Sequence, residues 1–514
     1  MPQIWPSDNF TEIGIISNDV LNKASMGFNS IDALLFLQKL SIKMDNYVQR
    51  RVFIINPLDP IYMDKWFLTT TEANAFIAKN ILCFSSEIST GHFTVYDHEK
   101  LTLFYHHLES DLHYLKPTDP DAYKWTIRAS NVQYHYQRVP SRLMGRYLLI
   151  IKTAQNAAEI NNLCKEATGI SFEEIIIIGI MIYSLIRQNG AFDMANLLHH
   201  SFTNDRIVNA LKKETIDKYL ALYAITEEDF RSECRKWAMN NKAIPLYKKY
   251  EFNPLWSFPI VRTKSIESQK QYISPSLVDL LYASTEGGYF KIMDIYRGRN
   301  SNNTFSTKFG ESFEDYVGYL LRESLKNVQI RDDSDGSRNP YKADFLLETE
   351  STSDKVLIEV KKGSMKNLAK AAVGNELEHY IEKLAKIIYD QLFSKSLIAK
   401  SRCHLLVSLE EWYCFEEKVK PLIVEKLEAI AWDKGTDISQ FKFHLLGCTS
   451  FEIMCQFLKE KPAISIFTLF ETKESEAKWY FMSTSHFLKE SYLYNPESLT
   501  MQESEYDAFW DLLR

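Results

Sequence analysis

The stretch "YKADFLLETESTSDKVLIEVKKG", residues 341 to 363, sets one acidic residue into an apolar run, then a polar break, then a second apolar run ending in Glu-Val-Lys. Side chains alternate along a strand, so Val356, Ile358 and Val360 go to one face while Leu357, Glu359 and Lys361 go to the other. The break "TESTSD", residues 349 to 354, has hairpin-loop composition and predicts that "ADFLLE" folds back beside "VLIEVK". Asp344 then stands near Glu359.

Two carboxylates with hard oxygen donors suit Mg²⁺, which takes one or two carboxylates, several waters and a substrate phosphate. Lys361 is no ligand for the ion. Beside it, the ammonium would hold or help deprotonate the attacking water and offset phosphate charge. An acid-x-Lys spacing recurs by chance about five times in a chain of this composition, so its context carries the reading. That context includes an acidic helix upstream. "FGESFEDYVGYLLRESL", residues 309 to 325, puts Phe313, Tyr316, Val317, Leu320 and Leu321 on one stripe and Glu311 and Glu314 one turn apart. Glu314 flanks the packed face and is the better third carboxylate; Glu311 lies closer to the fraying start.

Working outward, 514 residues exceed one ordinary core and favour two to four domains. With 45% hydrophobic and 25% charged residues the chain is expected to fold rather than stay disordered. A net charge of -7 argues against a nonspecific nucleic-acid coat but allows a local basic groove. The N-terminus has neither a basic start nor an apolar run, so no secretory signal is expected. "ISFEEIIIIGIMIYSLI" is too short between charges to span a bilayer and predicts a buried helix, with Ser171 as cap and Glu174 three residues on. Seven cysteines without a CxxC pair fit free thiols in a reducing compartment, and a cytoplasmic protein with no membrane contact is expected. His106, His107 and His113 lie close together, but without an acidic or Cys partner at ligand spacing they are not read as a metal site.

The expected organisation is α+β and multidomain. Residues 1–137 read as an α+β or β-rich module, with "RVFIINP" and "GHFTVYD" as strands. Residues 138–259 read as a helical region ending in a Pro/aromatic connection. Residues 260–514 read as one catalytic domain with a mixed sheet flanked by helices, its later strands "RCHLLVSL" and "KFHLLGC" separated by the helix "EEKVKPLIVEKLEAIAWDKG".

The set Glu314, Asp344, Glu359 and Lys361 resembles the PD-(D/E)xK nuclease (restriction endonuclease-like) superfamily over about residues 305 to 450. The resemblance implies a mixed four-stranded sheet flanked by helices, with Asp344 and Glu359 as Mg²⁺ or Mn²⁺ ligands, Glu314 binding or assisting the metal, and Lys361 serving the water. Pro340 lies four residues before Asp344, where the family motif commonly has its proline adjacent. "NELEHYIEKLAKIIYDQLFSKSLI", residues 375 to 398, is expected as one long amphipathic helix after the Lys strand. On it Tyr389 and Gln391 resemble polar residues that some members direct at the site or the phosphate backbone. Lys362, Lys366 and Lys370 form a local basic patch suited to phosphate contacts.

These readings make a metal-dependent nuclease the leading expectation, with DNA the more favoured substrate over RNA and a role in prokaryotic defence implied by the layout. The N-terminal half is expected to serve regulation, a protein partner or self-association. The alternative is a noncatalytic nucleic-acid-binding or assembly module; a glycosidase fits less well because it leaves Lys361 without a role.

Overall fold

The structure is a computed structural model that describes residues 17–45, 53–55, 67–108, 122–136, 138–190, 192, 197, 204–241, 253–264, 272–298, 304–326, 328–332, 343–349, 354–362, 365, 370, 375–411, 415–496 and 498–511. It is α+β and mainly helical. Strands β1 (Phe53–Ile55) and β2 (Phe67–Thr69) pair antiparallel, and β3 (Ala224–Thr226), β4 (Ile260–Arg262) and β5 (Tyr272–Ile273) form a small mixed sheet. The larger sheet is built from β6 (Val328–Asp332), β7 (Phe345–Thr349), β8 (Lys355–Lys361), β9 (Cys403–Ser408) and β10 (His444–Gly447), in the spatial order β10-β9-β8-β7-β6.

The quoted stretch folds as the hairpin its sequence predicts. β7 and β8 run antiparallel with Phe345 opposite Ile358 and Leu347 opposite Val356. β9 then runs parallel to β8, setting Leu406 beside Glu359 and Ser408 beside Lys361. Parallel neighbours need a crossover, and helices cover both faces of this sheet. Val356, Ile358 and Val360 enter a core with Phe313 and Val317 of the helix Thr304–Ser324. Leu357 enters a second core with Leu377, Ile381 and Ile388 of the crossover.

That crossover is helical over the expected span but not uniformly α. The α-helix Glu376–Ile387 passes into a π-helix, Ile388–Phe393, and then into the short helix Ser394–Ala399. Between β9 and β10 the chain forms Phe415–Lys418 and Lys420–Asp433 rather than one helix, with Pro421 in the first turn of the second, where its missing N–H costs nothing.

Within residues 1–137 the described residues are α+β rather than β-rich: the strand expected in "RVFIINP" is present as β1, paired with β2, and the rest are mostly helical, including Ser30–Asp45, Thr71–Phe84, Val95–His107 and Ala122–His135. "GHFTVYD" is no strand because Thr94 and Asp97 form a reciprocal capping box that starts a helix at Val95. The same device, Ser171 with Glu174, starts the buried helix Phe172–Asn189 as its sequence predicts. Among the described residues no single helix is long and apolar enough to cross a membrane. Cys164, Cys403, Cys448 and Cys455 are buried thiols.

The cores cross the divisions expected at 137/138 and 259/260. One continuous core joins Tyr147, Phe172 and Ile178 to Phe305, Phe313, Leu405 and Phe487. Another joins Leu34, Ile77 and Leu101 to Leu255, Val261 and Ile273. The helical region therefore packs directly against the helix that covers the larger sheet.

Candidate functional site

Asp344 lies one residue before β7, and its Oδ2 accepts the Val360 N–H at 2.6 Å. The β8 backbone thus holds this carboxylate between Glu359 and Lys361. Glu359 is buried, at 2% exposure, and a charge so enclosed needs partners. Lys361 Nζ donates to Glu359 Oε1 at 2.8 Å and stands 3.9 Å from Asp344 Oδ2. Lys395 Nζ donates to Glu359 Oε2, also at 2.8 Å.

The helix Thr304–Ser324 brings Glu314 to the same place. Burial, then the negative charge of Asp344, pushes its carboxyl up to about 7, with Lys361 opposing and Glu359 and Glu311 adding. Burial and then Glu359 push Asp344 up to about 6, while Lys361, the Val360 N–H and Lys395 oppose. Three carboxyl groups that feel one another in a partly buried place favour a cation or a proton among them. Glu311 is used elsewhere: its Oε2 accepts from Asn156 Nδ2 at 3.0 Å and Lys308 Nζ at 3.1 Å.

The helix is itself fixed from below. Tyr316 Oη donates to Glu452 Oε1 at 2.6 Å and accepts from Gln502 Nε2 at 2.9 Å. Glu452 in turn is gripped by Arg146, whose Nε and Nη2 reach it at 2.6 and 2.7 Å while Nη1 reaches Glu411 at 2.9 Å. A buried guanidinium with two carboxylates therefore anchors the element that carries Glu314.

The expected basic patch divides. Lys362 lies over the site helix, where a Cβ on Gly310 would come within 2.6 Å of Lys362 Cδ and 2.9 Å of its Nζ. Burial lowers the pKa of its ammonium, with Glu314 and Glu311 opposing. Lys370 is a correction: it is ion-paired with Glu410 and mostly enclosed, so its charge is spent inside the protein. Lys366 and Pro340 lie outside the described residues. Tyr389 is also corrected, because it is buried in the π-helix with its hydroxyl 2.8 Å from Thr436 Oγ1 and so is not presented to a backbone phosphate. Gln391 is half-buried, and its Oε1 has no hydrogen-bond partner among the described residues.

Sequence reasoning missed Lys395. Its signal was a lysine three residues after Leu392 and seven after Ile388, on a stripe whose other members are apolar and buried.

The donors fit a hard divalent cation: Asp344 and Glu359 are carboxylates on adjacent backbone, Asp344 is pinned by the Val360 N–H, and Glu314 on the neighbouring helix adds a third carboxyl whose repulsion with Asp344 a cation would relieve. Another group, Cys403, His444 and Glu474, has ligand atoms within 4.8 Å of one another at the opposite end of β9 and β10. Its thiol and imidazole would suit zinc rather than Mg²⁺ or Mn²⁺. Lys473 Nζ stands 3.5 Å from His444 Nδ1 and 3.2 Å from Glu416, and Lys420 is 3.6 Å from Glu416. A dication would enter beside these two buried lysines, and His444 already belongs with Glu474, Glu416, Lys420 and Lys473 to a buried network of close polar contacts.

Comparison with the models of known protein families, with curated protein sequences and with solved structures gives no match.

Proposed function

We propose that the protein is a metal-dependent nuclease that hydrolyses phosphodiester bonds with Mg²⁺ or Mn²⁺, acting on DNA in preference to RNA. The observation that carries this reading is the convergence of Asp344, Glu359 and Lys361 at the ends of adjacent strands, with Glu314 supplied by a neighbouring helix. A mixed sheet with helices on both faces supports it, as does the resemblance of these four residues to the PD-(D/E)xK pattern.

In this reading Asp344 and Glu359 hold the ion and Glu314 supplies a third oxygen. When bound, the ion polarises the phosphate and makes the attacking water more acidic. Lys361 orients that water and offsets the charge that grows on the phosphate. Glu314, whose carboxyl burial and Asp344 push up to about 7 in the metal-free protein, would give up that proton as the ion enters and so make metal binding tighter as pH rises. Lys362, beside Glu314, meets a neighbouring phosphate. The N-terminal half serves regulation, a protein partner or self-association, in a cytoplasmic defence role. The test is cleavage of linear, circular, single-stranded and structured DNA and RNA with each metal. The Lys361→Ala protein is expected to leave intact what the wild type cuts, and equal cutting by both removes the assignment.

A second reading has its own support: both oxygens of Glu359 already bond lysines, as in a purely structural ion cluster. That reading makes the fold a noncatalytic nucleic-acid-binding or assembly module. It expects no Mn²⁺ binding by the wild type even with DNA present.

A further inference from the structure

Both oxygens of Glu359 are taken, and the two lysines reach it by separate routes. Lys361 comes from the same strand two residues on, as alternation requires. Lys395 comes from the far end of the crossover, 36 residues away in sequence, and closes on Oε2 at 2.8 Å. The π-helix Ile388–Phe393 ends just before it, and Ser394 Oγ bonds back to Tyr389 O across that wide turn at 3.0 Å. A π turn changes the direction in which the following residues face, and such turns concentrate at functional sites. Here it aims a lysine at a carboxylate on the sheet.

Glu359 is one of three carboxyl groups in this place, with Asp344 and Glu314, and in the metal-free protein Lys361 and Lys395 are the two ammonium groups that offset them. The second ammonium occupies an oxygen that a divalent ion would use. Glu359 is almost fully enclosed, so a dication reaching Oε2 cannot keep well clear of an ammonium at 2.8 Å.

We propose that Lys395 is an exchangeable counter-ion of Glu359: it neutralises Oε2 until a divalent cation enters, and is then released into the site to meet a nonbridging oxygen of the substrate phosphate. This rests on the metal-dependent reading of the same carboxylates. Lys395 thereby makes metal entry competitive, and it supplies a second positive group once the competition is lost. No bond to Lys395 forms or breaks.

The test uses the full-length protein. Mn²⁺ is titrated by calorimetry into wild type, Lys395→Met and Lys395→Arg, with thermal midpoints recorded with and without the ion. Lys395→Met is expected to bind Mn²⁺ about tenfold more tightly or better, because a positive charge has left the ligand. Its metal-free midpoint is expected to fall, and its KM for DNA to rise at least about tenfold with the lost phosphate contact. Lys395→Arg, which keeps the charge, is expected to bind the ion close to wild type. Equal or weaker Mn²⁺ binding by Lys395→Met overturns the exchange, and unchanged cleavage kinetics overturn the phosphate role. A second measurement needs no variant: acetylation of Lys395 in wild type, read by mass spectrometry, is expected to speed up on adding Mg²⁺. If Mg²⁺ leaves that rate unaltered, the lysine is not released. Tighter Mn²⁺ binding in Lys395→Met with no cleavage by wild type would retain the exchange while removing the nuclease reading.

Discussion

The Val360 amide and the Asp344 carboxylate meet at 2.6 Å, so β8 grips the acid that precedes β7 at the point between Glu359 and Lys361. Asp344 is therefore positioned by backbone rather than by the lysine. It follows that Lys361→Ala keeps the metal and loses the chemical step, whereas Asp344→Asn and Glu359→Gln lose tight metal binding. Mn²⁺ affinity, thermal midpoint and cleavage measured in parallel separate these effects. A structural salt bridge expects instead that all three substitutions chiefly lower stability. Unchanged Mn²⁺ affinity in both carboxylate variants would remove the metal site.

The raised carboxyl groups give a pH dependence with a definite sign. Glu314 moves from 4.5 to about 7 and Asp344 from 3.8 to about 6 on folding, so the native state holds more protons than the unfolded chain between those values. Stability from these two groups is present below their unfolded values and is lost as pH rises through the folded ones. The contribution of these two groups to the metal-free stability should therefore fall between about pH 4 and about pH 7, read as the difference in thermal midpoint between wild type and Glu314→Gln, and Mg²⁺ should restore it most at the upper end. A midpoint difference between wild type and Glu314→Gln that stays constant across the window would contradict the proximity of the carboxyl groups.

Much of the hairpin was legible because period-two alternation and a polar break act locally. Leu357 and Ile358 go to different cores as the alternation requires. Glu314 was legible because it borders the stripe of Phe313 and Val317. Lys370 and Tyr389 were not, since a lysine or tyrosine on a helix has no sequence mark that distinguishes solvent from a buried partner such as Glu410 or Thr436. Lys395 was hidden by the π turn, a change of hydrogen-bond register that composition does not announce. The edge strand β6 was missed for a related reason: Arg331 and Asp332 break its apolar pattern, and its pairing with β7 carries it instead.

The Arg146 centre should behave as a buried ion cluster. Arg146→Ala would leave Glu411 and Glu452 enclosed without their guanidinium, a loss on the order of 3 to 5 kcal/mol in urea unfolding. Arg146→Lys should not restore it, since one ammonium cannot reproduce the forked contacts to Glu452, Glu411 and Thr449 Oγ1. Full stability in the lysine variant would mean that charge alone holds the centre.

The shared core makes the final prediction. Phe305 and Phe309 of the site helix pack edge-on against Phe172 of the upstream buried helix, at ring separations of 6.3 and 5.6 Å. Gly145 touches the C-terminal helix Thr500–Asp511 so closely that a Cβ there would overlap the Gln502 carbonyl. Residues 260–514 expressed alone would therefore expose the faces of both elements that carry Glu314 and Gln502, and should lack a cooperative thermal transition. Gly145→Ala in the full chain should push the two helices apart and cost roughly 1 to 3 kcal/mol, with faster proteolytic release of the C-terminal helix. A cooperatively folding 260–514 fragment would show that the sheet and its helices need none of the upstream core. In that case Tyr316, rather than Phe172, would have to carry the anchoring of the site helix.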